Sequence, residues 1–150
     1  MLLNQSKRTW INQNTPDQKA IADTMKLAWI VDDDQEMSTA MSMMLKLLNF
    51  ETVCFLNARN AVQSLQSGKH PDIFVLDINM PEFSGLDLLE YLRRHPQWEK
   101  MPVVMLSSEA ADVTVDEAMA LGADSYVMKP VTLEELEKAT KTAFHRHKKG

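Results

Sequence analysis

Four short apolar runs of the sequence each end in polar side chains, which are Asp32-Asp33-Asp34, Asp77, Ser107-Ser108 and Lys129-Pro130. Carboxylates that gather without histidine or cysteine favour a hard cation such as Mg²⁺ or Mn²⁺ over zinc. A cation, the Lys129 ammonium and the Ser107 hydroxyl around the Asp77 carboxylate would suit a transferred phosphoryl group, whose charge they would neutralise. In this interpretation Asp77 is the nucleophile.

These apolar runs alternate with segments of helical periodicity. The predicted strands are 27–31, 52–55, 73–76, 103–106 and 125–128. Capping patterns bound the helices between them, at Asn49, Asn57, Gly68, Ser84 with Asp87, Gly122 after a helix over about 112–121, and Thr132 with Glu135. Strands that are apolar throughout are covered on both faces of their sheet. The pattern predicts an α/β fold.

The expected architecture is a doubly wound, five-stranded parallel sheet with helices on both faces. Ligands of such a sheet bind at the carboxyl ends of the strands, beside the switch in winding direction. If the first strand lies beside the third, the carboxylates of Asp32, Asp33 and Asp77 converge there. Their mutual repulsion would be costly without a cation.

Charge is unevenly distributed along the 150 residues, whose net charge is −5. Residues 27–140 carry 8 basic and 19 acidic side chains, a net charge of −11. Because a body this acidic repels a phosphate backbone, we expect no direct binding of nucleic acid. The longest purely apolar run has five residues, so no membrane span is predicted. The single cysteine, Cys54, fits a reducing cytoplasm.

The two ends of the chain differ from its acidic middle. Residues 1–26 are polar, carry a net charge of +2 and show no sustained apolar period. We expect an extension that is partly disordered or forms a short helix over 16–25. One domain over 27–145 and a basic tail over 146–150 follow it.

Four motifs on alternating strands carry a resemblance to a known family. They are Val31-Asp32-Asp33-Asp34, Leu76-Asp77-Ile78-Asn79-Met80-Pro81 with Gly85, Val104-Met105-Leu106-Ser107, and Tyr126-Val127-Met128-Lys129-Pro130. The separations are 44 residues from Asp33 to Asp77, then 30 to Ser107 and 22 to Lys129. In order and spacing, residues 27–145 resemble the receiver domain of bacterial response regulators, which implies the flavodoxin-like strand order 2-1-3-4-5.

The resemblance implies a role for each matching residue. Asp77 would accept a phosphoryl group from a histidine kinase or a histidine-containing phosphotransfer protein. Asp33 and Asp77 would bind Mg²⁺ directly, Asn79 would add its backbone carbonyl, and Asp32 would act largely through a metal-bound water. The chain would then be a signalling switch rather than an enzyme, catalysing only its own phosphorylation and dephosphorylation.

The resemblance also implies how the switch works. Ser107 and Lys129 would hold the phosphoryl oxygens, the Ser107 hydroxyl would move toward the phosphate, and Tyr126 would turn inward. These movements would repack the face made by the fourth helix, the fifth strand and the fifth helix, where a downstream protein would bind. Whether the protein forms a homodimer stays open. Asn79 and Glu109 would tune the lifetime of the acyl phosphate, and the pair resembles that of the fast bacterial chemotaxis response regulator.

Two other function classes stay open. The first is an Mg²⁺-dependent phosphatase with an aspartate nucleophile, which would need a second carboxylate two residues later, where this chain has Asn79. The second is a receiver-shaped docking module that never accepts phosphate. Such a module typically lacks an acidic residue or the lysine, and this chain has all of them.

Several of these residues also have plainer interpretations. Asp34 is expected to cap the first helix rather than bind a metal. Tyr126 on a strand would ordinarily belong to the core. Cys54 is expected to be an inert buried thiol, and His145-x-His147 a solvated tail.

Overall fold

Within the part of the chain that the structure describes, five parallel strands form one sheet. The computed structural model describes residues 25–108 and 112–147, with the backbone alone for 112–114. The strands are β1 Lys26–Val31, β2 Phe50–Phe55, β3 Ile73–Asp77, β4 Val103–Ser107 and β5 Ser125–Met128. Their order is β2-β1-β3-β4-β5, so the predicted fold class and strand order are confirmed.

Five helices connect the strands and cover both faces of the sheet. They are α1 Gln35–Leu47, α2 Ala58–Gln66, α3 Gly85–Arg94, α4 Asp112–Ala120 and α5 Leu133–Arg146. Buried side chains of α1 and α5 pack on one face, and those of α2, α3 and α4 pack on the other. The helices on both faces are therefore as predicted.

Side chains at the predicted N-caps begin the helices. Asn57, Ser84 and Thr132 each accept a hydrogen bond from a backbone N–H in the first turn of α2, α3 and α5. Asp87 completes a capping box by accepting from the Ser84 N–H. These bonds satisfy N–H groups that have no partner inside the helix, so local sequence alone sets where each helix begins.

Left-handed backbone conformations end three of the helices. Gly68 and Gly122 have φ angles of +99° and +110°, and Asn49 has a φ of +71°. Glycine and asparagine are the residues that most readily adopt positive φ, which explains why they stand at these positions. The predicted ends are confirmed, with α4 ending one residue earlier than expected.

The core consists of one apolar layer on each face of the sheet. Every residue of the central strands β3 and β4 is buried. Phe74 and Leu76 pack against α2 and α3, whereas Ile73 and Val75 pack against α1 and α5. Each large apolar side chain buried in this way stabilises the fold by about 1.5–3 kcal/mol. This burial fixes the register of the strands and thereby positions the residues that follow them.

Cys54 lies on the edge strand β2 and is exposed, so the expectation of a buried thiol is wrong. β2 has a neighbouring strand on one side only, and its burial decreases from Phe50 toward Val53 and Cys54. The Cys54 thiol still lies 3.9 Å from the Ser38 carbonyl oxygen. Partial burial raises the pKa of Cys54, and the charge of Lys46 lowers it.

A buried carboxylate holds the end of α5 against the amino ends of the strands. Asp124 accepts hydrogen bonds from Arg93, from Arg146 and from the Val103 N–H, at 3.1, 3.1 and 2.8 Å. The Nε2 atom of His147 lies 2.8 Å from the same carboxylate. The expectation of a solvated tail is therefore wrong for His147, because Asp124 lies buried beside it.

No helix in residues 25–108 and 112–147 is both long enough and apolar enough to cross a membrane. The expected helix over 16–25 lies almost wholly outside the described residues, and Met25 is not helical. Glu109 and residues 148–150 also lie outside them.

Candidate functional site

The carboxyl ends of four strands meet at one edge of the sheet. Asp32 follows β1, Asp77 ends β3, Ser107 ends β4 and Lys129 follows β5. Because β3 pairs with both β1 and β4, and β4 pairs with β5, the parallel strands present all four residues at the same edge.

Lys129 connects two carboxylates that come from different strands. Its Nζ atom lies 3.4 Å from Oδ1 of Asp77 and 3.7 Å from Oδ2 of Asp32. The Lys129 side chain is 24% exposed, whereas the side chains of Asp32 and Asp77 are 0% and 5% exposed. One ammonium group thus lies beside two almost fully buried negative charges, which a protein interior tolerates only when they are compensated.

The two oxygens of Asp32 have different surroundings. Oδ1 accepts a hydrogen bond of 2.9 Å from the Asp34 N–H. Oδ2 is buried and accepts no hydrogen bond within the described structure, and its distance from Lys129 is that of an ion pair only. A buried carboxylate oxygen without a hydrogen-bond donor is costly, so this atom indicates a missing positive partner.

Asp77 is nearly buried and is held on both sides. Its Oδ1 accepts a 3.2 Å hydrogen bond from the Asn79 N–H and contacts Lys129. The pKa of Asp77 is raised from an ordinary 3.8 to about 6, first by burial and then by the negative charge of Asp32. Lys129 and the Asn79 N–H act in the opposite direction. Asp77 is therefore a more basic carboxylate than an exposed aspartate.

Three carboxylates at this edge fit a divalent cation. Asp32, Asp33 and Asp77 each offer one oxygen, and these oxygens lie within 4.8 Å of one another. Asp33 is exposed whereas the other two residues are buried, so the cluster is open to solvent on one side. An all-oxygen donor set and the unpartnered Oδ2 of Asp32 together fit a hard ion such as Mg²⁺ or Mn²⁺.

The start of α3 packs directly on the backbone of Asp77. A Cβ atom added to Gly85 would overlap the Asp77 carbonyl group and would also crowd Ile78. The Gly85 N–H donates to the Ile78 carbonyl oxygen at 3.3 Å. Only glycine permits so close an approach, and the packing fixes the backbone that carries the Asp77 carboxylate.

The remaining predicted residues lie around this cluster. The Ser107 side chain is buried and its hydroxyl donates to the Ser108 carbonyl oxygen at 3.2 Å. Asn79 is exposed, and its contact with Asp77 is through its backbone N–H. Tyr126 lies on β5, paired with Met105, and is 44% exposed. The interpretation of Tyr126 as a core residue is therefore wrong. Glu109 lies outside the described residues.

Asp34 caps α1, as expected. Its side chain accepts hydrogen bonds from the N–H groups of Glu36 and Met37 at 3.0 and 3.2 Å. Three consecutive aspartates thus have three environments, since Asp32 is buried, Asp33 is the exposed member of the cluster and Asp34 is bonded to the helix.

A groove beside Asp33 was not predicted from the sequence. It has a volume of about 160 Å³ and is lined by Arg59 of α2 and by Glu82 and Phe83 of the loop before α3, among others. Glu82 adopts a φ of +63°. Arg59 stands four residues after the end of β2, which was the available signal, but an arginine on an amphipathic helix is usually only a solvated residue.

The chain matches the family model described as the response regulator receiver domain over residues 28–141. It is 36% identical over 107 residues to Protein RcaC of Microchaete diplosiphon, covering 71% of this chain but only 16% of RcaC. It is 31% identical over 116 residues to Chemotaxis protein CheY1 of Helicobacter pylori, covering 75% of this chain and 91% of CheY1. The chain therefore spans a small part of the first relative and most of the second.

Solved structures show the same fold. A putative response regulator from Chloroflexus aurantiacus has a TM-score of 0.77 at 24% identity, covering 82% of this chain and 100% of that chain. At this identity the likeness concerns the arrangement of strands and helices alone.

Replacing Asp77 by asparagine is expected to stabilise the cation-free protein at neutral pH. Because the folded-state pKa of about 6 exceeds the ordinary 3.8, the cost of the ionised carboxylate appears as the pH rises above about 4 and is complete above about 6. In EDTA at about pH 7.5, urea denaturation should give Asp77→Asn a free energy of unfolding about 1–3 kcal/mol higher than that of the parent.

The advantage of this variant should vanish near about pH 4, where the parent Asp77 is also uncharged. The exposed Asp116 provides a control, because Asp116→Asn removes the same charge without relieving a buried carboxylate. A gain for Asp77→Asn that did not change with pH would contradict the assigned pKa.

The neighbouring aspartates Asp33 and Asp34 should differ in their effect on cation binding. Asp33→Asn removes the negative charge of one carboxylate from the cluster. We expect it to weaken Mg²⁺ binding about tenfold or more in a calorimetric titration. Asp34→Asn removes the same charge and keeps the helix cap, since asparagine caps as well as aspartate. Its Mg²⁺ affinity should stay close to that of the parent, and equal losses in both variants would argue against a localised site.

Proposed function

Because the chain belongs to the response regulator receiver domain family of two-component signalling, we propose that its function is to accept a phosphoryl group on Asp77. The observation that carries this proposal is the position of Lys129 Nζ, which lies within 4 Å of both Asp77 and Asp32. The Asp77 carboxylate thus lies beside an ammonium group and within an acidic cluster that is open to solvent at Asp33.

The proposed step is an in-line displacement at phosphorus. A carboxylate oxygen of Asp77 forms a bond to the phosphorus of a phosphohistidine, and the phosphorus–nitrogen bond of the donor breaks. The imidazole nitrogen leaves with the electron pair and the product is an acyl phosphate on Asp77. The Lys129 ammonium, already 3.4 Å from Asp77, neutralises a phosphoryl oxygen as charge develops on it.

A divalent cation would be held by Asp32, Asp33, Asp77 and the backbone carbonyl of Asn79. When bound, it supplies positive charge to the phosphoryl oxygens. The protein's own contribution is to hold the carboxylates in place, through the Asp34 N–H on Asp32 and the Asn79 N–H on Asp77. Both bonds come from the loops that follow β1 and β3, so the backbone positions the site before any donor arrives.

The proposed switch begins at Ser107. Its hydroxyl donates to the carbonyl of Ser108, a bond it would exchange for one to a phosphoryl oxygen on Asp77. Movement of this buried side chain would make room for Tyr126, which is 44% exposed on β5. Tyr126 turning inward would change the surface that a downstream protein contacts.

That surface is a groove of about 390 Å³ between α4, β5 and α5. Met119 of α4, Tyr126 of β5, and Glu135 and Lys138 of α5 are among the residues that line it. We propose that the downstream protein binds here and that a histidine kinase or phosphotransfer protein delivers the phosphoryl group at the acidic edge, in the cytoplasm.

Phosphorylation of Asp77 can be tested with a small phosphodonor. After incubation with acetyl phosphate and Mg²⁺, intact mass spectrometry should show one added phosphoryl group, and chelation of the cation should prevent it. The Asp77→Asn variant should show no adduct, whereas Asp116→Asn, which changes an exposed aspartate of α4, should behave like the parent. An adduct on Asp77→Asn would overturn the assignment, and turnover of an added phosphomonoester would favour the phosphatase alternative.

The acyl phosphate is expected to be short-lived. Asn79 and Glu109 each stand two residues beyond a site residue, from where a side chain can reach the attacking water. In Mg²⁺ buffer, the phosphorylated protein should lose its phosphoryl group within minutes. The loss is measured by quenching samples at successive times and determining their intact mass. Replacing Asn79 by a bulky residue such as arginine should change this rate severalfold, while a parent adduct that persisted for hours would contradict the prediction.

A further inference from the structure

A basic groove lies at the amino ends of the strands, at the opposite end of the sheet from the acidic cluster. Its volume is about 610 Å³, and its lining includes Lys26, Lys100, Pro102, Lys141, Phe144 and His145. These residues come from the start of β1, the segment before β4 and the last turns of α5. Three separate parts of the chain thus direct lysines to one concavity.

Two of the three lysines have no ion-pair partner in the part of the chain that the structure describes. Within the described part of the chain, neither Lys26 nor Lys100 forms an ion pair, whereas Lys141 lies 3.3 Å from Glu137. The Lys26 ammonium lies over the ring of Phe144, 5.4 Å from its centre. This cation–π contact limits the freedom of the lysine and keeps its charge at the groove.

The groove is basic although the body of the chain is acidic as a whole. Residues 27–140 carry a net charge of −11, but at physiological salt a charge is screened beyond about 8 Å. A compact anion inside the groove would interact mainly with the lysines that line it, because the nearby carboxylates of Glu137 and Asp124 are already paired with Lys141 and with Arg93, Arg146 and His147. A long polyanion, such as nucleic acid or an acidic protein segment, would extend onto the acidic body and be repelled.

We propose that this groove binds a compact polyphosphate, meaning a small molecule with two or more linked phosphate groups. The phosphates would contact Lys26 and Lys100, and the apolar walls at Phe144 and Pro102 would accommodate any uncharged remainder of the ligand. This inference is independent of phosphorylation at Asp77, because no residue is shared between the groove and the acidic cluster.

Calorimetric titration of the full chain with inorganic tripolyphosphate tests the proposal. The buffer contains EDTA, so that binding through a cation at the acidic cluster does not contribute. We expect a Kd of about 0.1–1 mM at 0.15 M salt, weakened at 0.5 M salt, and amide NMR shifts near Lys26, Lys100 and Phe144 but not near Asp77. Shifts confined to the acidic edge, or no binding, would overturn the proposal.

Paired variants separate this groove from general charge attraction. The double substitution Lys26→Gln with Lys100→Gln should weaken binding about tenfold or more. Lys46→Gln with Lys69→Gln removes the same charge from exposed lysines elsewhere and should leave the affinity nearly unchanged. Equal losses in both pairs would contradict a specific site. Should the first pair fail to fold by circular dichroism, Lys100→Gln alone gives the same comparison with Lys69→Gln.

Further ligands identify the source of the phosphates. ATP that binds more tightly than tripolyphosphate would indicate a nucleotide, and equal affinities would indicate free polyphosphate; either result supports the proposal. Adenosine, which has no phosphate, should not bind. A short DNA duplex that bound more tightly than both, with the same dependence on Lys26 and Lys100, would contradict the compact ligand.

Discussion

One ammonium group shared by two buried carboxylates is the interaction on which the site depends. Lys129 lies close to both Asp77 and Asp32, and these three residues come from three strand ends. Without a positive charge between them, two ionised carboxylates in this position would repel each other in a poorly solvated environment. The raised pKa of Asp77 shows that a single lysine compensates only part of that cost. The site is therefore arranged to receive further positive charge, which a divalent cation would supply.

The rest of the fold supports this arrangement through continuous burial. β3 and β4 are apolar and buried along their length, so a shift in register would expose one core layer or bury the polar ends. Gly85 then allows α3 to pack on the Asp77 backbone, which limits movement of that strand end. Apolar packing a few residues away thus holds these carboxylates close together despite their mutual repulsion.

How much could be predicted from the sequence depends on the range of the interaction concerned. Helix caps such as Ser84 with Asp87 are bonds within four residues, and their pattern is complete in the local sequence. The convergence of Asp32, Asp77 and Lys129 was also predictable, because parallel topology brings carboxyl ends together whatever the details of packing. The exposure of Tyr126 and Cys54 was not predictable, since it depends on how far α4 and α1 extend over the edges of the sheet. His147 was missed for a similar reason, because its partner Asp124 lies 23 residues away.

Helix α5 links the two ends of the molecule. Its first half contributes Glu135 and Lys138 to the groove beside Tyr126, and its last turns contribute Lys141 and Phe144 to the basic groove. Asp124 holds the end of α5 through Arg146 and His147, so the helix has a fixed point at the amino ends of the strands. A ligand in the basic groove would influence the face at Tyr126 only if its affinity differed between two positions of α5. This coupling would be reciprocal. If the ligand changed the equilibrium between the two positions of α5 by some factor, a change at Tyr126 that moved α5 from one position to the other would alter the ligand's affinity by the same factor. The short path along one helix makes such coupling physically direct, whereas the Asp124 anchor opposes it by restraining the end of the helix that the ligand contacts.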